Sequence, residues 1–425
     1  MIKNKHLLFL LFLGISTSYS YAQTAPALSA IKEADLKSDI YYLASDEMRG
    51  RRAGTLDELN AATWLAKRAE DAGLKPAGDN GTYFQFFPLY RTTVASNWVY
   101  RYALGAIRQQ TTSLKRQGVS AIILVADSTA NAKIGFFGHG FEEGKYELKE
   151  SEWKDDKNDT PVFLVTPSLE KQLKEGNATF QANIRVNKFK YPSVNVIAKA
   201  EGKDPKLKEE YVLFSAHHDH DGIGEPVKGD SIWNGADDNA SVSVALIAIA
   251  RAWEKQPGKR SALFVWHGAE ERGLMGSRYF IENPKVEAEN IVAVLNGDMI
   301  GGNDPDSAAL LGSIVPHKNS TELVNMAMSA NNEFTKFKVD TSWDAEDHPE
   351  FWYYRSDHLP YAETNIPSIF FTTLLHPDYH TPDDEADKID ITKLTKMAKW
   401  MYATGWKVSE TVQKPTLDAK SEMKE

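Results

Sequence analysis

Five short segments place histidines and carboxylates at the ends of apolar runs or in the turns that follow. They are Ala216-His217-His218-Asp219, Gly235-Ala236-Asp237-Asp238-Asn239, Gly268-Ala269-Glu270-Glu271, Asn296-Gly297-Asp298-Met299 and Tyr379-His380-Thr381-Pro382. Together they hold two imidazoles and three carboxylates for a pair of divalent ions, with one carboxylate left over as a base. Imidazole nitrogen and carboxylate oxygen are the donors such ions take where thiolate is missing, and the chain has no cysteine. Two adjacent ions need a bridging carboxylate and lower the pKa of a water held between them. A separate carboxylate must then accept the proton and pass it to the leaving group.

Each residue has a place in that scheme. His217 and Asp219 are two apart and share a face at an extended strand end, so Asp219 can hold the second ring nitrogen of His217. Asp238 stands where a helix starts and is the preferred bridge, with Asp237 as a competitor and Asn239 as an alternative cap. Glu270 and Glu271 diverge, so one can bind metal while the other faces water. Asp298 ends an apolar strand, where an unpaired carboxylate is costly. His380 is the second imidazole, with His376 as its rival and Asp384 as a candidate partner for its ring.

The elements that must position these groups read as α/β. Ser193–Ala198, Tyr211–Ala216, Ala262–Trp266, Ile291–Leu295 and Ser368–Phe371 are short, largely apolar runs of strand type, and Ala240–Glu254 is a strongly apolar helix. Continuous apolar strands alternating with helices imply a mostly parallel mixed sheet covered on both faces. Sites in such sheets lie beyond the carboxyl ends of the strands, where His217, Glu270 and Asp298 fall. Residues 29–76 read as two amphipathic helices joined by the charged turn Ser45–Gly54. Residues 91–190 differ in character: they hold the strand patterns Gly118–Val125 and Pro161–Val165 but none of the metal-type segments, as expected of an inserted subdomain.

Composition narrows the class further. The chain has 425 residues, 42% hydrophobic and 25% charged, as in an ordinary soluble enzyme. Lys3 and Lys5, the apolar run Leu7–Ile15 and the small residues of Ser20-Tyr21-Ala22 describe a secretory signal cleaved after Ala22. Removing that segment takes the formal charge from -10 to -12, since it carries two lysines and no acid. Such a chain is poorly suited to nucleic acid or an anionic membrane. Export without cysteine suits a periplasm or the outside of a bacterium. The polar stretch 412–425 reads as a disordered tail.

In the order and spacing of these motifs, from His217 to His380, the chain resembles the M28 family of zinc peptidases, the aminopeptidase group with two co-catalytic zinc ions. Ser356-Asp357-His358-Leu359-Pro360, Ile366-Pro367 and the stretch Ser45–Gly54 are also similar to the family. The resemblance implies one zinc on His217 and Asp298, a second on Glu271 and His380, and Asp238 bridging both. It implies Glu270 as general base and later acid, Asp219 as the group orienting His217, and Tyr379 as a donor to the tetrahedral oxyanion. It also implies peptidase segments at 23–90 and 191–411, interrupted at 91–190 by a reduced protease-associated-like subdomain. The expected activity is release of amino-terminal residues from peptides, through a metal-bridging water. A carboxypeptidase or dipeptidase of the same fold is the close alternative, and an inactive binding protein of that fold the distant one. The aromatic segment Ser342–Tyr354 is either core packing or a wall of the substrate pocket.

Overall fold

A computed structural model of the chain describes residues 27–95, 113–119, 121–125, 144–150, 160, 162–165, 167–176 and 185–419. The expected signal segment 1–22 lies outside the described residues, as does most of 91–190.

Fourteen strands are present among the described residues: β1 (Lys75–Pro76), β2 (Phe84–Ala95), β3 (Ile122–Val125), β4 (Lys145–Glu147), β5 (Val162–Val165), β6 (Arg185–Ala200), β7 (Tyr211–His217), β8 (Gly222–Val227), β9 (Asp230–Trp233), β10 (Ser261–His267), β11 (Ile291–Gly297), β12 (Ser307–Leu311), β13 (Lys338–Asp340) and β14 (Ser368–Thr372). Ten form one mixed sheet in the order β13-β12-β14-β11-β7-β10-β6-β2-β4, with β1 paired to β6. The four central strands β14, β11, β7 and β10 run parallel. The flanking pairs β12–β14, β10–β6, β6–β2 and β2–β4 are antiparallel.

Every residue of β7, β10, β11 and β14 is buried, which is why these strands read as unbroken apolar runs. Alternation persists beneath that uniformity. Val212, Phe214, Ala216, Phe264 and Trp266 pack into the core below the helices Val242–Lys255 and Ile391–Glu410. Leu213, Leu263, Val265 and Val294 face Phe280 and Tyr361 on the other side of the sheet. The helix Val242–Lys255 packs on β7 and β10 and is surrounded by the helices Glu33–Leu43, Leu56–Asp71 and Ile391–Glu410, so it is apolar around most of its circumference. No helix among the described residues is long and apolar enough to cross a membrane.

β2 and β6 pair without interruption from Phe84↔Val196 to Ala95↔Arg185. The sheet ladder therefore runs past the boundaries expected at 91 and 190, and the segment between them leaves from the tip of a long two-stranded arm. Within that segment β3 and β5 form a separate parallel pair, while β4 returns to pair with β2.

The polar carboxyl-terminal stretch departs from the expected disordered tail. Arg260 donates to the carbonyls of Thr411 and Val412. The Asp418 carboxylate accepts from the N–H and hydroxyl of Thr321, and the Asp418 N–H donates to the Asn319 carbonyl. Residues 411–419 are thus tied to the body by hydrogen bonds that polarity alone does not reveal.

Candidate metal centre

The register of β7 with β10 sets His217 opposite His267, and β11 runs beside β7. The strand ends carrying His217, the Glu270 turn and Asp298 therefore open at one edge of the sheet. Asp238 reaches the same point from the turn Ala236–Ser241 that starts the central helix.

Around the end of β7, His217 Nε2 lies 3.2 Å from Asp238 Oδ1, 3.3 Å from Asp298 Oδ1 and 3.8 Å from Glu270 Oε2. On the other side, His380 Nε2 is 3.1 Å from Asp238 Oδ2 and 3.2 Å from Glu271 Oε2. Asp238 thus directs one oxygen to each side. His217, Asp238, Glu271, Asp298 and His380, separated by up to 163 positions in sequence, are all brought together with Glu270 beside them. A third imidazole joins them unanticipated: His220 Nδ1 is 2.9 Å from Glu271 Oε1 and 4.0 Å from Asp238 Oδ2. Its sequence signal was the run His217-His218-Asp219-His220, which reads equally as a histidine-rich turn. The His380 side chain is 32% exposed whereas those of His217 and Asp238 are 1% and 4%. Access from solvent is therefore over His380.

The competitors turn elsewhere. Asp237 Oδ1 accepts from the Gly301 N–H, and its Oδ2 lies 3.3 Å from His376 Nε2. Those two occupy each other outside the cluster. Asp384 does not face His380; its carboxylate accepts the backbone N–H groups of Asp237 and Asp238 and so holds the bridging turn. The carboxylate behind His380 is Asp221, 3.4 Å from Nδ1, which in turn meets Arg272 at 3.1 Å. Asp219 also differs in detail from expectation. Its carboxylate is 3.9 Å from His217 Nδ1, beyond hydrogen-bond length, whereas its carbonyl is at 3.2 Å. The carboxylate instead accepts the Glu270 N–H at 3.0 Å and fixes the turn that carries Glu270.

Asp298 is held by a buried relay. The Ser356 hydroxyl donates to Asp298 Oδ2, Asn296 donates to Ser356 Oγ, and Ser215 donates to Asn296 Oδ1. Below the site Arg51 is fully buried and donates to the carbonyls of Leu43, His218, Asn234 and Gly235. The charged turn Ser45–Gly54 is therefore a clamp on the two loops that carry His217 and Asp238.

The two adjacent glutamates are driven apart electrostatically. Burial, reinforced by Glu271 and Asp298 against the pull of His217, raises Glu270 well above the usual carboxylate range. Burial also opposes ionisation of Glu271, but His380 and His220 override it and hold Glu271 well below that range. Burial raises Asp298 to about 6 despite His217. It raises the Tyr379 phenol well above its ordinary value, with Asp238 and Glu271 adding to the effect. Tyr379 lies against His380 at 4.0 Å between centroids, the rings tilted by 34°, and meets Trp352 edge-on at 5.9 Å. Trp352 belongs to the aromatic segment Ser342–Tyr354, so that segment does reach the site.

Five carboxylates, Asp219, Asp238, Glu270, Glu271 and Asp298, converge here with three imidazoles. Concentrating buried anions is costly unless cations compensate them, and Arg51, whose charge reaches Asp219, Asp238 and Glu271, is one guanidinium against five carboxylates. Nitrogen and oxygen donors fall in two groups, His220, Asp238, Glu271 and His380 in one and His217, Glu270 and Asp298 in the other, with Asp238 Oδ1 also 3.2 Å from His217 Nε2; such donors suit divalent ions of the zinc type.

The model of Peptidase family M28 matches residues 195–405, the stretch that supplies every one of these donors. A probable leucine aminopeptidase of Arthroderma otae is 29% identical over 234 residues, 52% of this chain and 59% of that protein. The chain spans about three fifths of the length of this and two similar curated relatives. Among solved structures, an aminopeptidase from Aneurinibacillus sp. strain AM-1 matches with a TM-score of 0.59 and 17% identity, covering 92% of this chain and 98% of that one. BSAP, a zinc aminopeptidase from Bacillus subtilis, matches with a TM-score of 0.59 and 16% identity over 92% and 97% of the two chains. These two establish likeness of fold. Through residues 195–405 the chain belongs to peptidase family M28.

Proposed function

We propose that the protein is an exported, zinc-dependent aminopeptidase. It would hold two zinc ions, one on His217 and Asp298 and one on Glu271 and His380, with Asp238 shared. The observation that carries this reading is the Asp238 carboxylate, whose oxygens point separately at His217 and His380. Bound zinc would polarise the scissile carbonyl and lower the pKa of an attacking water.

The chain's own groups supply the rest. Glu270 lies beside the cluster with a high proton affinity, while its neighbour Glu271 stays ionised. Two carboxyls pushed apart in this way take separate roles as proton carrier and ligand. Glu270 accepts a proton as the bond is attacked and returns it to the leaving amine. Tyr379 keeps its proton and can donate a hydrogen bond to the oxygen that becomes negative. The relatives named leucine aminopeptidase support action at amino ends. The basic start and short apolar run of residues 3–22 support export, and the β3–β5 pair, apart from the main sheet, supports an inserted subdomain.

The test is a pool of peptides with free and acetylated amino ends, incubated with the zinc-loaded protein and followed by mass spectrometry. Single residues should be lost from free amino ends only. Glu270→Gln should lower kcat by about 10²–10⁴-fold while zinc content is kept. Trimming from carboxyl ends would move the assignment to a carboxypeptidase, and no cleavage with zinc bound would point to a binding protein.

A further inference from the structure

We propose that His220 is a fourth protein ligand to the ion on Glu271 and His380, so that the two metal positions are chemically unequal. This rests on the two-ion reading above and goes beyond it. His220, Asp238, Glu271 and His380 each offer one donor atom, and these four atoms lie within 4.8 Å of one another. Two ligands at about 2.0–2.2 Å from one zinc ion are separated by roughly 3–4 Å. His220 Nδ1 lies 4.0 Å from Asp238 Oδ2, within that span, and 2.9 Å from Glu271 Oε1, just under its lower limit. The rings of His220 and His380 stand perpendicular, at 89° and 5.4 Å between centroids, so two imidazoles approach from different directions.

The position is built for this ring. His220 is fully buried, and its backbone N–H donates to the Arg51 carbonyl at 3.4 Å. Residue 235 is a glycine with φ of +59°, and a Cβ there would overlap the His220 ring. Its Nε2 meets no hydrogen-bond partner, so Nδ1 is the nitrogen turned to the cluster. His218 gives the contrast: it is also buried, but neither ring nitrogen meets a partner and no carboxylate of the cluster lies against it.

The consequence is a division of labour. His220, His380, Glu271 and Asp238 complete a four-coordinate set, the number that closes a zinc site. His217, Asp298 and Asp238 make three once Glu270, which also lies on that side, is reserved as the base, and this leaves a position open. The closed position should fill first and exchange slowly, and the open one should be the exchangeable ion.

Cobalt(II) decides between a ligand and a neighbour. The metal-free full chain is titrated with Co²⁺, bound metal is counted by elemental analysis, and hyperfine-shifted imidazole N–H signals are counted by proton NMR in water. With two ions bound, three such signals are expected, from His217, His220 and His380, and His220→Gln should remove one. Weakened binding alone would not discriminate, because losing a hydrogen bond to a ligand also costs about 10–100-fold in affinity. Two signals in the unaltered protein with two ions bound overturn the proposal and leave the two-ion reading intact. Binding of only one ion overturns the two-ion reading instead. In that case loss of a signal on His220→Gln still sustains His220 as a ligand, and an unchanged spectrum rejects it.

Discussion

Glu58 offers a test of how the amino-terminal helices are locked to the site, because its charge state should write itself into the pH dependence of stability. It is 1% exposed on the helix Leu56–Asp71. Its Oε2 accepts the Gly54 N–H at 2.7 Å, and its Oε1 is 2.6 Å from the Ser193 hydroxyl. Burial first, and then Asp219, lift its carboxyl from 4.5 to about 8 against those hydrogen bonds. The unfolded chain releases this proton near 4.5, whereas the folded chain keeps it to about 8. Between those values the unfolded state binds fewer protons, so stability falls as pH rises. The contribution is complete below 4.5 and gone above about 8. At about 1.4 kcal/mol per pH unit, the ceiling between pH 5 and pH 8 is about 4 kcal/mol. Glu58→Gln keeps the shape and hydrogen bonds of the neutral acid with no proton to lose. Urea unfolding of both proteins at pH 5, 6, 7 and 8, zinc-loaded and at one ionic strength, should therefore show the variant gaining on its parent by roughly 2–4 kcal/mol over that range. All other titrating groups cancel in the difference. Parallel stability curves would show that Glu58 is already ionised in the fold and would refute the reasoning.

Two further outcomes follow from the same electrostatics. Removing metal with a chelator should lower Tm more at pH 8 than at pH 5. Burial raises Asp219 and Asp298 from 3.8 to about 6, so their contribution to the metal-free fold is lost as pH rises through that value; calorimetry showing an equal drop at both pH values would contradict this. Tyr379→Phe should lower kcat by about 100-fold with KM little changed, the cost of one donor to a developing oxyanion. Steady-state kinetics with both constants unchanged would reduce Tyr379 to packing against Trp352.

The parallel centre of the sheet was legible in the sequence because β7, β10, β11 and β14 are buried on both faces, and such strands must be apolar throughout. The edges were not. β12 begins in Ser307-Ala308-Ala309, β13 is Lys338-Val339-Asp340, and the arm of β2 and β6 mixes Arg, Thr, Lys and Asn with aromatics. An edge or arm strand is stabilised by a ladder to a distant partner, and side-chain pattern records burial rather than pairing. The same limit explains the tail, where Asp418 docks onto Thr321 through hydrogen bonds that polar composition cannot distinguish from solvation.

At the site, the candidate ligands read from sequence, His217, Asp238, Glu271, Asp298 and His380, come together in the fold, whereas His220 and most of the groups that hold them were not read. A ligand must be His, Asp or Glu, so residue type alone shortens the search; a support can be any polar residue, and its partner is often a backbone atom. Ser215, Asn296 and Ser356 form one relay to Asp298 from two strands and a loop, yet none is distinctive by itself. Arg51 is the sharper case. In Asp46-Glu47-Met48-Arg49-Gly50-Arg51-Arg52 the three arginines are equivalent by type, and a charged turn is ordinarily solvated. The fold selects one of them: Arg49 has a side chain 56% exposed and reaches Asp57 at 3.4 Å, whereas Arg51 is buried and spends its guanidinium on four carbonyls. What distinguishes them is the closure of three distant segments around a single cation, Leu43 from the first helix, His218 from the end of β7, and Asn234 and Gly235 from the bridging turn. That closure exists only once the sheet has formed, so the clamp that sets the distance between His217 and Asp238 is a property of the tertiary structure, written in the sequence as nothing more than an arginine among others.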